Sequence, residues 1–549
     1  MSEIVEHPKF SPTLPRDGGA AKSGLRAFFQ AHGAEQQSPL LGLGRDLWLA
    51  LHHRLTATTS ALVIVAVATV LRLTLAVVLP LSFDESYFWL WSKHLALSYY
   101  DHPPMIALAI RAGTILLGDT PIGVRFVPLL ASIVASWALW RAAATIFNSR
   151  RAAALAVCLF NLTLMTAVVS ASATPDSLLL AAACVLLLAV AKLEAGGGGQ
   201  WWLAIGAAIG FSLLTKYTAL FLAGGVGLWS LGTPQGRLWL RSGWPYVAAL
   251  IAAACTVSTL EWNAQHDWIS FAFQFGRVTE GGFRPGTLLE FVGGQLALVS
   301  PFFMILAVAG LAFERRIINH ASPLTFAAAV VLLTFGYFLL HALHDRVQGN
   351  WPSFAVPALI LLATAVFVRQ SPNPRLDGVL RLSRALALPT AAMILALCYV
   401  QAFFGVLAMG IYDPVARMTA VGVAPVAAQI SALARRDHAA AIVTSKYVVS
   451  GWLAFYARPG IPLVQINEAP RWLSAPPARA TLMHKTLLYV TQSPAKELRD
   501  VSRRFGEVKQ LAVLTRERSG AIVDRFYVYE VSQFHGPVTG RVLMTGRRA

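Results

Sequence analysis

The chain has 549 residues, 56% of them hydrophobic and only 13% charged, with a mean hydropathy of +0.58. Soluble domains carry roughly twice that charged fraction, so the composition belongs to a polytopic membrane protein. The net charge of +18 does not point to nucleic acid, because the Lys and Arg residues fall in short gaps between apolar runs and in the polar ends, where they meet lipid headgroups and set orientation.

In chain order, residues 1–55 are polar and punctuated by Pro and Gly, which predicts a mobile cytoplasmic tail with a surface helix near Leu25–Phe29. Residues 56–408 then hold apolar runs of spanning length near 57–79, 124–147, 152–170, 177–191, 201–214, 218–231, 245–260, 288–313, 323–341, 353–368 and 385–408. They predict about eleven transmembrane helices. All four cysteines (Cys158, Cys184, Cys255 and Cys398) lie inside such runs and read as buried small hydrophobes, without a disulfide framework. With the N-terminus inside, alternate loops carry Arg150/Arg151, Lys192, Arg237/Arg241, Arg315/Arg316 and Arg369–Arg384. The opposite loops carry Asp84, Glu85, Asp101, Asp176, Glu261, Asp267 and Asp345, so the positive-inside rule puts these on the periplasmic side of a bacterial inner membrane.

Beyond residue 409 the apolar runs shorten to strand length at Ala441–Thr444, Leu463–Ile466, Thr486–Val490 and Phe526–Tyr529. Helical stretches lie between them at Val426–Arg435 and Ala495–Phe505. The alternation predicts a small periplasmic α/β domain over 409–549, in a supporting or acceptor-contacting role.

The chemistry concentrates where the first span ends. Phe83-Asp84-Glu85-Ser86-Tyr87 is followed by Tyr99-Tyr100-Asp101-His102-Pro103-Pro104, three carboxylates and a histidine at a membrane surface where such groups are costly and generally functional. Asp84-Glu85 also suits a helix cap, and Asp101-His102 a polar turn. Thr174-Pro175-Asp176 opens a helix, where Asp176 can cap as well as act. Lys216, between two apolar stretches, must meet a counter-charge or snorkel to water. Trp262-Asn263-Ala264-Gln265-His266-Asp267-Trp268 combines belt-type tryptophans with polar groups, and His344-Asp345-Arg346 adds a second candidate phosphate cation. Arg72, inside the first span, has no partner readable from sequence.

Across residues 60–360 these five motifs, from Asp84-Glu85-Ser86-Tyr87 through Thr215-Lys216-Tyr217-Thr218 to the Trp-Asn segment, resemble the GT-C fold glycosyltransferases of family 39 and its relatives. That group includes protein O-mannosyltransferases, the aminoarabinose transferase of lipid A and rhizobial galacturonosyl transferases. The resemblance implies a polyprenyl phosphate sugar donor, with Asp84 as general base and Lys216 on the donor phosphate. Transfer of this kind needs a base for the acceptor hydroxyl and cations for the leaving phosphate. Glu85 then supports catalysis, and Asp101, His102, Asp176, Tyr217, Asn263, His266 and Arg346 are candidates for donor or acceptor binding. The carboxylates at 84, 85 and 176 leave a divalent metal open, and none is assigned. The expected partners are the lipid-linked donor, membrane lipids and, as acceptor, an envelope glycolipid such as lipopolysaccharide or lipid A, with a Ser or Thr hydroxyl of a secreted protein as the alternative. A secondary transporter would show paired halves with charges at mid-membrane, whereas here the charges cluster on one face. A non-catalytic scaffold would not explain the acidic loop.

Overall fold

The computed structural model describes residues 57–279, 282–317, 324–368, 374–457, 460–536 and 540–545. The tail expected over 1–55, with its helix near Leu25–Phe29, lies outside them. Each of the eleven apolar runs folds as helix: α1 Ala57–Val78, α4 Pro121–Phe147, α5 Arg150–Leu162 with α6 Leu164–Ala171, α7 Pro175–Glu194, α8 Gln200–Leu213, α9 Leu220–Gly232, α10 Trp244–Gln265, α12 Pro285–Val299 with α13 Pro301–Ile317, α14 Thr325–His341, α15 Val356–Val368 and α16 Pro374–Phe404. Between them lie α2 Phe83–Lys93, α3 Met105–Leu117 and α11 Ile269–Thr279.

The count of full spans is lower than the run count. Among the described residues, five helices are long and apolar enough to cross a bilayer alone, and up to seven spans result if each bent pair is one. The bends are 70° between α5 and α6 and 100° between α12 and α13. At the first, Thr163 leaves the helical region and its side chain caps α6 through Thr166 N–H; at the second, Ser300 takes φ 94° just before Pro301. Helices pack through small residues, as expected where lipid removes any hydrophobic drive for association. A Cβ added at Gly206 of α8 would stand 2.6 Å from the Ala248 carbonyl oxygen of α10. Inside this apolar body Arg72 of α1 has a partner after all. Its guanidinium donates to Asn161 Oδ1 at 2.9 Å, and Asn161 in turn donates to Ser136 of α4 at 3.2 Å.

The α/β segment has a six-stranded sheet in the order β4-β5-β3-β1-β2-β6: β1 Ile442–Thr444, β2 Leu463–Gln465, β3 Leu487–Thr491, β4 Phe505–Arg518, β5 Ala521–Phe534 and β6 Arg541–Met544. β1 pairs in parallel with β2 and β3, and the outer pairs are antiparallel. Three helices of this segment matter below: α17 Val423–Arg436, α18 Tyr447–Trp452 and α19 Pro494–Arg504. β4 and β5 turn through Ser519 and Gly520, both at positive φ (52° and 77°), the geometry of a two-residue hairpin turn that glycine favours.

The sheet is bound tightly to the helical body beside the first acidic loop. Leu81, Trp89 and Leu90 share one hydrophobic core with Trp452, Leu453 and Phe455. Leu81 N–H donates to Tyr456 Oη at 2.7 Å and its carbonyl accepts from Ala420 N–H at 2.8 Å. Gly451 of α18 packs on the backbone of α2, where an added Cβ would lie 3.0 Å from Ser86 Cβ.

Candidate active site

The adjacent carboxylates Asp84 and Glu85, in the first turn of α2, have opposite surroundings. Ser82 caps the helix through Glu85 N–H, and Glu85 returns the bond to Ser82 N–H at 2.7 Å, a capping box. Glu85 also takes Arg125 Nε at 2.6 Å, Arg125 Nη2 at 2.7 Å and Ala173 N–H at 2.8 Å. Both side chains are sealed, at 1% and 3% exposure. Burial alone would raise the Glu85 carboxyl, but the Arg125 charge and these donors outweigh it and hold the group below the usual range. Arg125 spends its remaining N–H groups on the carbonyls of Leu79 (2.6 Å) and Pro80 (3.1 Å) beyond α1. This pair fastens α1, α2, α4 and the loop before α7 together, so Glu85 has no oxygen left for a substrate proton.

Asp84 takes no part in that junction. It is half-buried, and among the described residues it has no hydrogen-bond or ion-pair partner. Burial pushes its carboxyl up to about 7, with the charges of Asp101 and Asp176 acting the same way and Arg471 opposing. A carboxylate poised near neutrality with an open hydrogen-bond site is suited to take a proton.

Asp101 and His102 follow α2 in the loop that ends at Pro104, the N-cap of α3. Asp101 Oδ2 accepts from Tyr87 Oη at 2.6 Å and forms an ion pair with Arg471. The His102 ring lies 6.0 Å from Phe88, and its carbonyl accepts from Tyr99 N–H at 3.1 Å. Arg471 comes from the one-turn helix Ala469–Trp472 just beyond β2, and its guanidinium sits 4.8 Å from the Tyr447 ring centroid and 5.8 Å from those of Tyr87 and Tyr100. Tyr447 opens α18 just beyond β1, and its N–H donates to Glu468 at 2.7 Å. Tyr447, Glu468 and Arg471 therefore all leave the carboxyl ends of the parallel strands, the edge at which open α/β sheets present their ligand sites.

Asp176 and Lys216 meet each other. Lys216 stands in extended backbone between α8 and the short turn Tyr217–Ala219 that leads into α9, and its Nζ lies 2.7 Å from Asp176 Oδ1. Asn350 Nδ2 donates to Asp176 Oδ2 at 2.7 Å and Ser353 Oγ reaches Oδ1 at 3.3 Å. The counter-charge that Lys216 requires is thus supplied by the protein. Tyr217 packs its ring 5.3 Å from Phe271 of α11, and its hydroxyl lies near Ser98, Asn263 and Ser270. Asn263 is fully buried; its Nδ2 donates to Thr259 O at 2.9 Å and its backbone carbonyl accepts from Trp268 N–H at 2.8 Å.

Two candidates stand apart. His266 stacks on Trp262 at 4.1 Å and bonds its carbonyl oxygen at 2.7 Å, closing the end of α10. Arg346 is exposed and pairs with Glu290, Nε to Oε1 at 2.7 Å. Neither contacts the Asp84 group among the described residues. The same residues include no cluster of three His, Cys, Asp or Glu side chains arranged to hold a metal ion. Beside Pro104 opens an apolar cleft of about 380 Å³ between Leu95, Leu97, Met105, Leu108, Leu214 and Ser258.

Sequence reasoning did not single out Arg125, which lies within an apolar run, or Arg471, which pairs with a residue 370 positions away. The buried Glu85 offered a signal for the first, since a carboxylate at a span mouth demands a cation.

A helical membrane body with acidic loops at one end and a small sheet bound over them is the GT-C fold, that of polytopic membrane glycosyltransferases. The fold is shared with ArnT from Cupriavidus metallidurans in its apo state, at a TM-score of 0.60 and 18% identity over 88% of this chain and 99% of that one. The same protein bound to undecaprenyl phosphate matches at a TM-score of 0.57 and 16% identity, over 88% and 100% of the two chains. The sequence profile of the family described as dolichyl-phosphate-mannose-protein mannosyltransferase matches residues 101–262. The lipid A galacturonosyltransferase RgtD of Rhizobium johnstonii is 28% identical over 286 residues, 51% of this chain. The match spans 59% of that relative's length.

Proposed function

We propose that this chain is a glycosyltransferase of the bacterial inner membrane that moves a sugar from a polyprenyl phosphate to a hydroxyl of lipid A on the periplasmic face. The observation that carries the reading is Asp84, a carboxylate raised to about 7 that has no hydrogen-bond or ion-pair partner among the described residues. Similarity to RgtD supports a lipid A acceptor, and the fold shared with a protein that binds undecaprenyl phosphate supports a lipid-linked donor. The Arg-rich alternate loops support the periplasmic placing of the acidic face and of residues 409–549.

In this mechanism Asp84 takes the proton of the acceptor hydroxyl, whose oxygen attacks the anomeric carbon. The bond from that carbon to the phosphate oxygen breaks, and its electron pair leaves with the polyprenyl phosphate. Glu85 is a positioning residue that fixes the first turn of α2 through Arg125. Tyr217 sits beside the buried Asn263, and Asp176 holds Lys216. The apolar cleft beside Pro104 suits the first isoprene units of the donor. The mannosyltransferase profile supports a second acceptor, a Ser or Thr hydroxyl of a secreted protein, served by the same base.

Mass spectrometry of lipid A and of periplasmic proteins from a strain lacking the chain tests the reading. Lipid A should lack one sugar, restored by the wild-type chain and not by Asp84→Asn. A change confined to proteins would select the second acceptor, and no change in either would remove the function. Reporter fusions after residue 545 test orientation: alkaline phosphatase active there, and green fluorescent protein dark, is the expected pair.

A further inference from the structure

Three cations pair with carboxylates around Asp84, and they differ in what they have left to offer. Arg125 is 3% exposed, with its donors spent on Glu85 and four backbone carbonyls. The Lys216 side chain is 7% exposed and locked against Asp176, which Asn350 and Ser353 also hold. Arg471 is 21% exposed and meets Asp101 through Nη1 alone, while its Nε stands 3.9 Å from Glu468, beyond hydrogen-bond range. A guanidinium presents its donors as a planar fork matched to two oxygens of one anion, so this fork is only partly used.

Its surroundings favour exchange over permanence. Tyr447, Tyr87 and Tyr100 present ring faces to the guanidinium and keep it in place whichever anion it meets. Asp101 would not be orphaned by the exchange, because Tyr87 Oη holds the same Oδ2 at 2.6 Å. Asp84, Asp101 and Glu468 leave this pocket short of positive charge, so an incoming phosphate requires a cation with accessible donors.

We propose that Arg471 is the phosphate-binding residue of the site, exchanging Asp101 for the phosphate oxygens of a bound substrate. This rests on the glycosyl transfer proposed above and names which side chain meets the anion. The phosphate belongs either to the lipid-linked donor or to a phosphorylated acceptor, and both present the same oxygens to the fork.

Binding to the full-length purified chain in nanodiscs separates these cases without any need for turnover. The probes are undecaprenyl phosphate, and lipid A with and without its phosphates. Arg471→Gln should weaken binding of one phosphorylated probe about ten- to a hundredfold, and Arg471→Lys should keep part of it. Asp101→Asn, which releases Arg471, should tighten binding of the same probe several-fold. A merely structural latch would make Asp101→Asn weaken binding along with Arg471→Gln, and that result overturns the assignment. So does unchanged affinity for both phosphorylated probes in Arg471→Gln. Loss confined to undecaprenyl phosphate identifies the donor, and loss confined to phosphorylated lipid A the acceptor. If the wild-type chain binds neither probe, the transfer reading itself falls.

Discussion

Two arginine–carboxylate pairs among the described residues, Glu85–Arg125 and Asp101–Arg471, are built for different purposes. Glu85–Arg125 joins membrane helices, is closed to water and uses every donor and acceptor it has. Asp101–Arg471 joins the helical body to the α/β segment, is partly open and leaves donors idle. Removing one partner of a sealed pair strands a charge in a place that cannot solvate it, whereas an open pair can rearrange around a ligand. The first pair is therefore architecture and the second a working surface, although both read alike in sequence.

The largest effect should come from breaking the sealed pair. Arg125→Ala leaves Glu85 buried and unpaired and should cost about 3–5 kcal/mol of stability, read as loss of monodisperse protein or a lower melting temperature. Arg471→Ala should cost about 1 kcal/mol or less, as partly exposed pairs do. Equal losses would erase the distinction.

Next in size is Lys216→Ala, which breaks the buried contact with Asp176 and should cost roughly 1.5–3 kcal/mol of stability, read as a lower melting temperature together with slower transfer. Lys216→Arg should retain part of the activity. Unchanged kinetics in Lys216→Ala would leave the Asp176 pair without a part in transfer. The smallest effect concerns how the two regions touch. Gly451→Ala places a methyl 3.0 Å from Ser86 Cβ and should lower stability by about 1 kcal/mol while slowing transfer more than stability alone explains. Wild-type rates in this variant would show that α18 does not hold α2 in register.

Much of the site was legible because its carriers are local. Asp84, Asp101, Asp176 and Lys216 each stand at the end of an apolar run, where charge is conspicuous, and the fold brings their loops together. The partner of Glu85 was not legible, because Arg125 is hidden inside a run that reads as a span. Arg471 was invisible for a different reason. It follows a three-residue strand, and its link to Asp101 exists only once the parallel sheet sets the ends of β1 and β2 over α2. Likewise Phe526–Tyr529 was recognised but not the 14-residue strands around it, since the outer stretch of the hairpin alternates with charged residues such as Arg516, Glu517 and Arg518. The eleven apolar runs all became helices, but run length could not foretell that two would bend sharply at Thr163 and Ser300.

The central claim is that Asp84 is the group that accepts the proton. The direct measurement is kcat/KM against pH for the purified chain in nanodiscs, with lipid A and a polyprenyl phosphate sugar. A base raised to about 7 is protonated and idle below that pH, so the wild-type rate should climb through pH 7 and level off above it. Asp84→Asn should lose about 10²–10⁴-fold of the rate and the rising limb together, with donor binding and folding intact. A limb near pH 7 that persists in Asp84→Asn, or a variant that keeps most of its activity, would contradict the account.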